Sequence, residues 1–201
     1  MVRTELGQWV SLSRPVLAAL ASEVRLPVRG YASELLEKAD IIEMPAIEPR
    51  EPVPQLTRAL VADAALAPLL FMKAKAVLLL ERYTGDNEIT SVVLCIDPST
   101  RMLGELPRLV GDWVERTHGA DPTEREPNDN GLFVVLTKLD RELTDPVRRG
   151  ERRIDLGRRI AEVLGEDLGR EHNWPRAWTP GRPFDNVHLV RSPAVKLKHL
   201  C

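Results

Sequence analysis

Two short, continuously apolar runs, Thr90-Ser91-Val92-Val93-Leu94-Cys95-Ile96 and Leu132-Phe133-Val134-Val135-Leu136, constrain the fold of this chain more than any other feature. Neither alternates apolar with polar positions, which is the pattern of a strand buried on both faces. Both end abruptly in polar residues, Asp97-Pro98-Ser99 and Thr137-Lys138-Leu139-Asp140. Between them an amphipathic helical pattern from about Leu103 to Thr117 places Leu106, Leu109, Val110, Trp113 and Val114 on one side, with Gly119 positioned to end it. Strand, helix and strand in this order predict an α/β fold: a three-layer, mostly parallel sheet with helices on both faces.

The remaining segments extend the same alternation. A helical stretch Arg14 to Glu23 leads to an expected edge strand Val24 to Val28 that contains Pro27, and a second strand is expected at Ala39 to Met44. The segment Glu48-Pro49-Arg50-Glu51-Pro52-Val53-Pro54 is too rich in proline for regular structure and reads either as a mobile loop beside a site or as a plain connector. Helix follows over Gln55 to Leu66 and Leu69 to Tyr83, with Pro68 expected to break it. The polar stretch Ala120 to Asn130 reads as a surface loop, and a charged helix around Glu151 to Leu168 turns Ile154, Ile160, Val163, Leu164 and Leu168 inward. Trp174, Trp178, Pro180 and Pro183 form a stiff loop before a last strand, Asn186 to Val190.

Composition narrows the partners more than it names them. The 201 residues are 43% hydrophobic and 29% charged, as expected of one soluble domain or a large part of one. With 28 basic and 30 acidic residues the net charge is only -2, so no global field draws the chain to nucleic acid or to an anionic membrane. Cys95 and Cys201 have no disulfide-framework or metal-ligand spacing, and His172, His188 and His199 share none, so no metal site is expected. The N-terminus lacks a signal-peptide pattern, and the apolar stretch Ala64 to Leu80 is interrupted by Pro68, Lys73 and Lys75, so a cytoplasmic protein without a membrane span is expected. His118 is placed to cap a helix end, not to catalyse.

The densest chemistry lies at Thr137-Lys138-Leu139-Asp140, directly after an apolar strand. It resembles the T-K-x-D form of the guanine-specificity motif of P-loop GTPases. A carboxylate at Asp140 can accept from both the ring N–H and the exocyclic amine of guanine, a donor pair adenine does not offer. The Lys138 stem would lie along the base plane and Thr137 would tie the loop down. The other reading of these four residues is a polar strand end with a helix-capping Asp. Ser192, after the last strand, stands by position where GTPases place a backbone contact to the base. Asp40-Ile41-Ile42-Glu43-Met44-Pro45-Ala46 occupies the place of the D-x-x-G segment, which holds magnesium through its Asp and meets the γ-phosphate with its Gly amide. Here Glu43 and Ala46 stand in those positions, so this segment reads either as a degenerate site, Glu being one methylene longer and Ala restricting the backbone, or as a plain strand end with an exposed Glu.

Taken with Leu12 to Leu20, Lys38 to Pro45, Lys75 to Thr84, Glu88 to Ser91, Trp113 with Thr117-His118-Gly119, and Trp178-Thr179-Pro180-Gly181-Arg182-Pro183-Phe184-Asp185-Asn186-Val187, these residues resemble the SrfC family of bacterial virulence factors over nearly the whole chain. The resemblance implies a GTPase-like domain spanning residues 1–201 in part, GTP or GDP with magnesium as ligands of the complete protein, and companion virulence-associated proteins of the same gene cluster as partners. No G-x-x-x-x-G-K-[ST] sequence occurs in the 201 residues. By resemblance the phosphate loop and its central strand would lie upstream of Met1, so the chain reads as a fragment, a split-gene product or a truncation. The isolated chain is then expected to bind GTP weakly or not at all, without turnover. A nucleotide-free interaction module is the alternative function.

Overall fold

The computed structural model describes residues 2–3, 6–21, 34, 38–44, 53–63, 66–97, 105–140 and 156–192. The chain divides into two compact units, Met1–Leu80 and Glu81–Cys201.

In the first unit, β1 (Val2–Arg3) pairs antiparallel with β2 (Trp9–Val10), a two-residue ladder too short to leave a sequence pattern. Helix α1 (Arg14–Leu20) carries Pro15 in its first turn, where a missing N–H costs nothing. Helix α2 (Leu56–Ala62) follows, and α3 (Leu66–Gly85) begins in this unit and runs past its last residue, Leu80. Lys75 of α3 donates from Nζ to the Ala18 carbonyl at 2.7 Å and to the Ala21 carbonyl, covering the last carbonyls of α1 with a positive charge. Pro68 does not break the helix as expected: it sits in the first turn of α3, where its lack of a donor is again harmless. The expected strand at Ala39 to Met44 is also absent. Residues 39–44 have no regular structure, Ile41 is 70% exposed, and no described strand offers a ladder to pair with. The expected strand Val24 to Val28 and most of the proline-bearing loop lie outside the described residues.

The second unit holds β3 (Val92–Ile96), α4 (Leu106–Thr117), the short α5 (Pro122–Arg125), β4 (Leu132–Leu136), α6 (Leu156–Ala161), which continues as a π-helical stretch over Glu162–Leu168, and β5 (Val187–Leu189). The three strands form one parallel sheet in the order β3-β4-β5, with Ile96 opposite Leu136 and Leu136 opposite Leu189. A mixed α/β fold with a small parallel sheet is therefore what these elements build.

The core lies on one face of that sheet. Leu94, Ile96, Leu132, Val134 and Leu136 join Val110, Trp113 and Val114 of α4 and Val163 and Leu168 of the π-helical stretch in a single buried cluster. Of the inward set expected for α4, Leu109, Val110, Trp113 and Val114 are buried and Leu106 is half-buried against the core, with Pro107 and Gly111 buried besides, and Gly119 ends the helix at φ 116°. The opposite face differs from expectation. Val93 is 62% exposed, Cys95 and His188 are exposed, and Phe133 and Val135 are half-buried. A continuous apolar run reports that both faces are apolar, not that described elements cover both.

The loop before β5 completes the core. Trp174, Trp178 and Phe184 meet edge to face with ring centroids 5.1–6.0 Å apart. The stretch Ala120 to Asn130 is not the plain surface loop its polarity predicts, because it contains α5 and the buried Arg125. That guanidinium donates to the carbonyls of Gly119 (2.8 Å), Ala120 (2.9 Å), Ala177 (2.8 Å) and Trp178 (2.9 Å), fastening α5 to the tryptophan loop. Burial is the first cause holding its pKa below the ordinary value.

Candidate functional site

Parallel strands end together, and at the carboxyl end of this sheet the chain leaves β3, β4 and β5 in polar residues. Open α/β sheets bind ligands at this edge because the strand ends leave loops free to carry side chains. Thr137 anchors the end of β4 to β3: its N–H donates to the Ile96 carbonyl at 2.8 Å and its Oγ1 to the same oxygen at 3.2 Å. On the other side the Val190 N–H donates to the Leu136 carbonyl at 2.8 Å, and the Leu139 N–H reaches the Val190 carbonyl at 3.5 Å. Leu139 is 6% exposed and pins the turn to the interior.

Between these anchors Lys138 adopts a left-handed backbone, φ 55°, and stays exposed. Its Nζ stands 2.6 Å from Asp97 Oδ2, at the end of β3. Asp140 Oδ1 accepts the Ser192 backbone N–H at 3.1 Å, joining the loop after β4 to the loop after β5. Three residues singled out in the sequence, Thr137, Lys138 and Asp140, thus share one edge with Ser192, a position chosen only by its place after the last strand. Asp97 was not singled out. The available signal was its register: it follows Ile96 as Thr137 follows Leu136, and those two strand residues are paired.

Glu43 belongs to the first unit, in the irregular stretch 39–44, and is exposed. Ala46 lies outside the described residues. No group of His, Cys, Asp or Glu among the described residues is arranged to hold a metal ion.

His118 lies at the opposite end of β4. It is 5% exposed, between Trp113 and Trp178 with centroids 5.1 and 5.4 Å away. Its Nε2 accepts the Gly131 N–H at 3.0 Å, which assigns the proton to Nδ1, 2.7 Å from Thr117 Oγ1; that hydroxyl donates to the Trp113 carbonyl at 2.7 Å. Burial lowers its pKa, the Arg125 charge adds to the effect, and the Asp129 backbone opposes it. This is a structural histidine: it locks a helix end to a strand start.

The fold and this edge define a mixed α/β protein with a polar cluster at the carboxyl end of a parallel sheet. The chain belongs to the family described as "Putative bacterial virulence factor", whose match covers residues 1–201. No curated protein and no solved structure matches the chain. No helix among the described residues is long and apolar enough to cross a membrane.

Proposed function

We propose that the carboxyl edge of the β3-β4-β5 sheet is the base-reading corner of a GTPase-like domain, of the SrfC type, whose complete form works as a guanine-nucleotide-dependent switch. The observation that carries the reading is the Asp140–Ser192 hydrogen bond across the ends of β4 and β5, at 3.1 Å. It holds a carboxylate at the strand ends beside an anchored Thr137 and a left-handed Lys138, and a carboxylate can accept guanine's paired donors. GTP or GDP with magnesium are the ligands in this reading. Glu43 and Ala46 then make hydrolysis slow or absent, since Glu is one methylene longer than the Asp it replaces and Ala lacks the backbone freedom of Gly.

The test is a ligand-observed saturation-transfer NMR titration of the 201-residue chain with guanosine, GDP and adenosine. These residues carry no phosphate-loop sequence, so guanosine and GDP bind weakly and within a few-fold of one another, adenosine gives no signal, and GTP is not turned over above background. Equal signals from guanosine and adenosine would remove the reading.

A second reading, a nucleotide-free module in a complex with companion virulence-associated proteins, has its own support in the apolar sheet face carrying Val93, Cys95, Phe133 and Val135. Apolar surface of this kind marks association when it is contiguous. Absence of any nucleoside signal would favour it.

A further inference from the structure

We propose that Asp97 is a positioning residue for the base site: it holds the Lys138 stem across the ends of β3 and β4 as a ready-made shelf for a planar purine. The inference rests on the guanine reading of the same edge and adds a residue and a role to it.

Two independent features of Lys138 need an explanation. A non-glycine residue in the left-handed region is uncommon and carries a backbone cost, and Lys138 adopts it at φ 55°. Its ammonium, free to reach water from an exposed position, is instead drawn to Asp97 Oδ2 at 2.6 Å. The two are connected. Thr137 ties its N–H and its hydroxyl to the Ile96 carbonyl, so the residue after Ile96 and the residue after Thr137 are held next to each other. The left-handed turn then lets Lys138 reach back to β3 while Leu139 is buried and Asp140 engages Ser192.

The arrangement does two things for a base. An anchored lysine loses less side-chain entropy when a ring settles on its methylenes, because the stem is already ordered. The ion pair also sets a cation against Asp97 and so lowers the negative charge of the sheet edge that carries Asp140. The side chain of Asp97 is 18% exposed and that of Lys138 52%, so the pair is partly shielded from solvent. Its effect on binding is accordingly modest.

The experiment titrates guanosine, which has no phosphate to confuse base contacts with charge, into the wild-type chain and into Asp97→Asn, Asp97→Glu, Lys138→Met and the Asp97→Asn/Lys138→Met double variant. Each fold is checked by its heteronuclear NMR spectrum. Asp97→Asn weakens guanosine roughly two- to five-fold, the range of a partly exposed ion pair. Lys138→Met weakens it similarly, the double variant loses no more than either single one, and Asp97→Glu restores part of the affinity. A purely structural Asp97 would lower the melting temperature and leave guanosine affinity and the coupling unmoved. Unchanged affinity in Asp97→Asn, or losses that add in the double variant, overturn the inference while the guanine reading stands. A wild-type chain that binds no guanosine overturns both.

Discussion

Asp140 and Ser192, separated by 52 residues, meet where β4 and β5 end, the Asp140 carboxylate accepting the Ser192 backbone N–H at 3.1 Å. The contact is possible because β4 and β5 are parallel neighbours in register, so the loops that follow them leave the sheet side by side. A side chain chosen for its chemistry is thus positioned by topology. The consequences divide into those that test the scaffold and those that test the edge it builds.

His118 makes the second unit sensitive to acid. Burial between two tryptophans, with the Arg125 charge adding to it, disfavours the protonated ring in the folded protein, where Nε2 accepts the Gly131 N–H, whereas in the unfolded chain it titrates near its ordinary value of 6.5. A folded pKa below the unfolded one means that stability is fully present above about pH 6.5 and falls as the pH drops toward the folded pKa. Chemical denaturation between pH 8 and about pH 5 shows this loss in the wild type. His118→Gln has no proton to gain there, so its profile is flatter across the same window; identical slopes would show that His118 does not titrate on unfolding.

Arg125 is a larger structural investment than its polar surroundings suggest. Four carbonyls receive its guanidinium, and only the branched, planar head reaches all of them. Arg125→Ala leaves these acceptors without their donor in a site 3% exposed and destabilises the fold by about 2–4 kcal/mol, with Arg125→Lys recovering only part. Urea denaturation measures both, and a loss below about 0.5 kcal/mol would rank the residue as ordinary surface.

Gly111 reverses the usual rule for helices. In an exposed helix interior, Ala is favoured over Gly by about 1 kcal/mol. Within α4, a Cβ at position 111 would enter the His172 ring, which packs directly over the glycine. Gly111→Ala is therefore destabilising by about 1–3 kcal/mol. Adding His172→Ala removes the clash and returns most of that loss, a compensation read directly from a thermal-denaturation double-mutant cycle.

The parts of this fold that were legible in the sequence are those with strong local signals. The runs Thr90 to Ile96 and Leu132 to Leu136 announced the strands observed at Val92–Ile96 and Leu132–Leu136, the pattern from about Leu103 to Thr117 announced the helix Leu106–Thr117 and most of its buried side, and Thr137 to Asp140 stood out because polar chemistry followed an apolar strand without a gap. What stayed hidden depends on long-range partners. Ile41 and Ile42 read as strand, yet backbone donors and acceptors need a neighbour, and none is present among the described residues. Arg125 sits in a run of polar residues and gives no sign that carbonyls of Ala177 and Trp178 await it. Asp97 becomes visible only when the register of β3 and β4 places it beside Lys138. Pro68 misled because its effect depends on whether it falls in the first turn or the interior of a helix, a difference of a few residues.

The most direct measurement of the base-reading account is a nucleoside swap at Asp140, with guanosine and xanthosine titrated by saturation-transfer NMR into the wild type and Asp140→Asn. The asparagine carbonyl can still accept the Ser192 N–H, so the turn survives, and its amide turns a donor toward the ligand in place of an acceptor. The variant therefore loses a charge-assisted bond pair to guanosine, about 2–4 kcal/mol or roughly thirty-fold to nearly a thousand-fold in affinity, and gains xanthosine, whose exocyclic oxygen accepts from the new amide. A variant with an intact heteronuclear NMR spectrum and unchanged guanosine binding would contradict the assignment of Asp140 as the residue that reads the base.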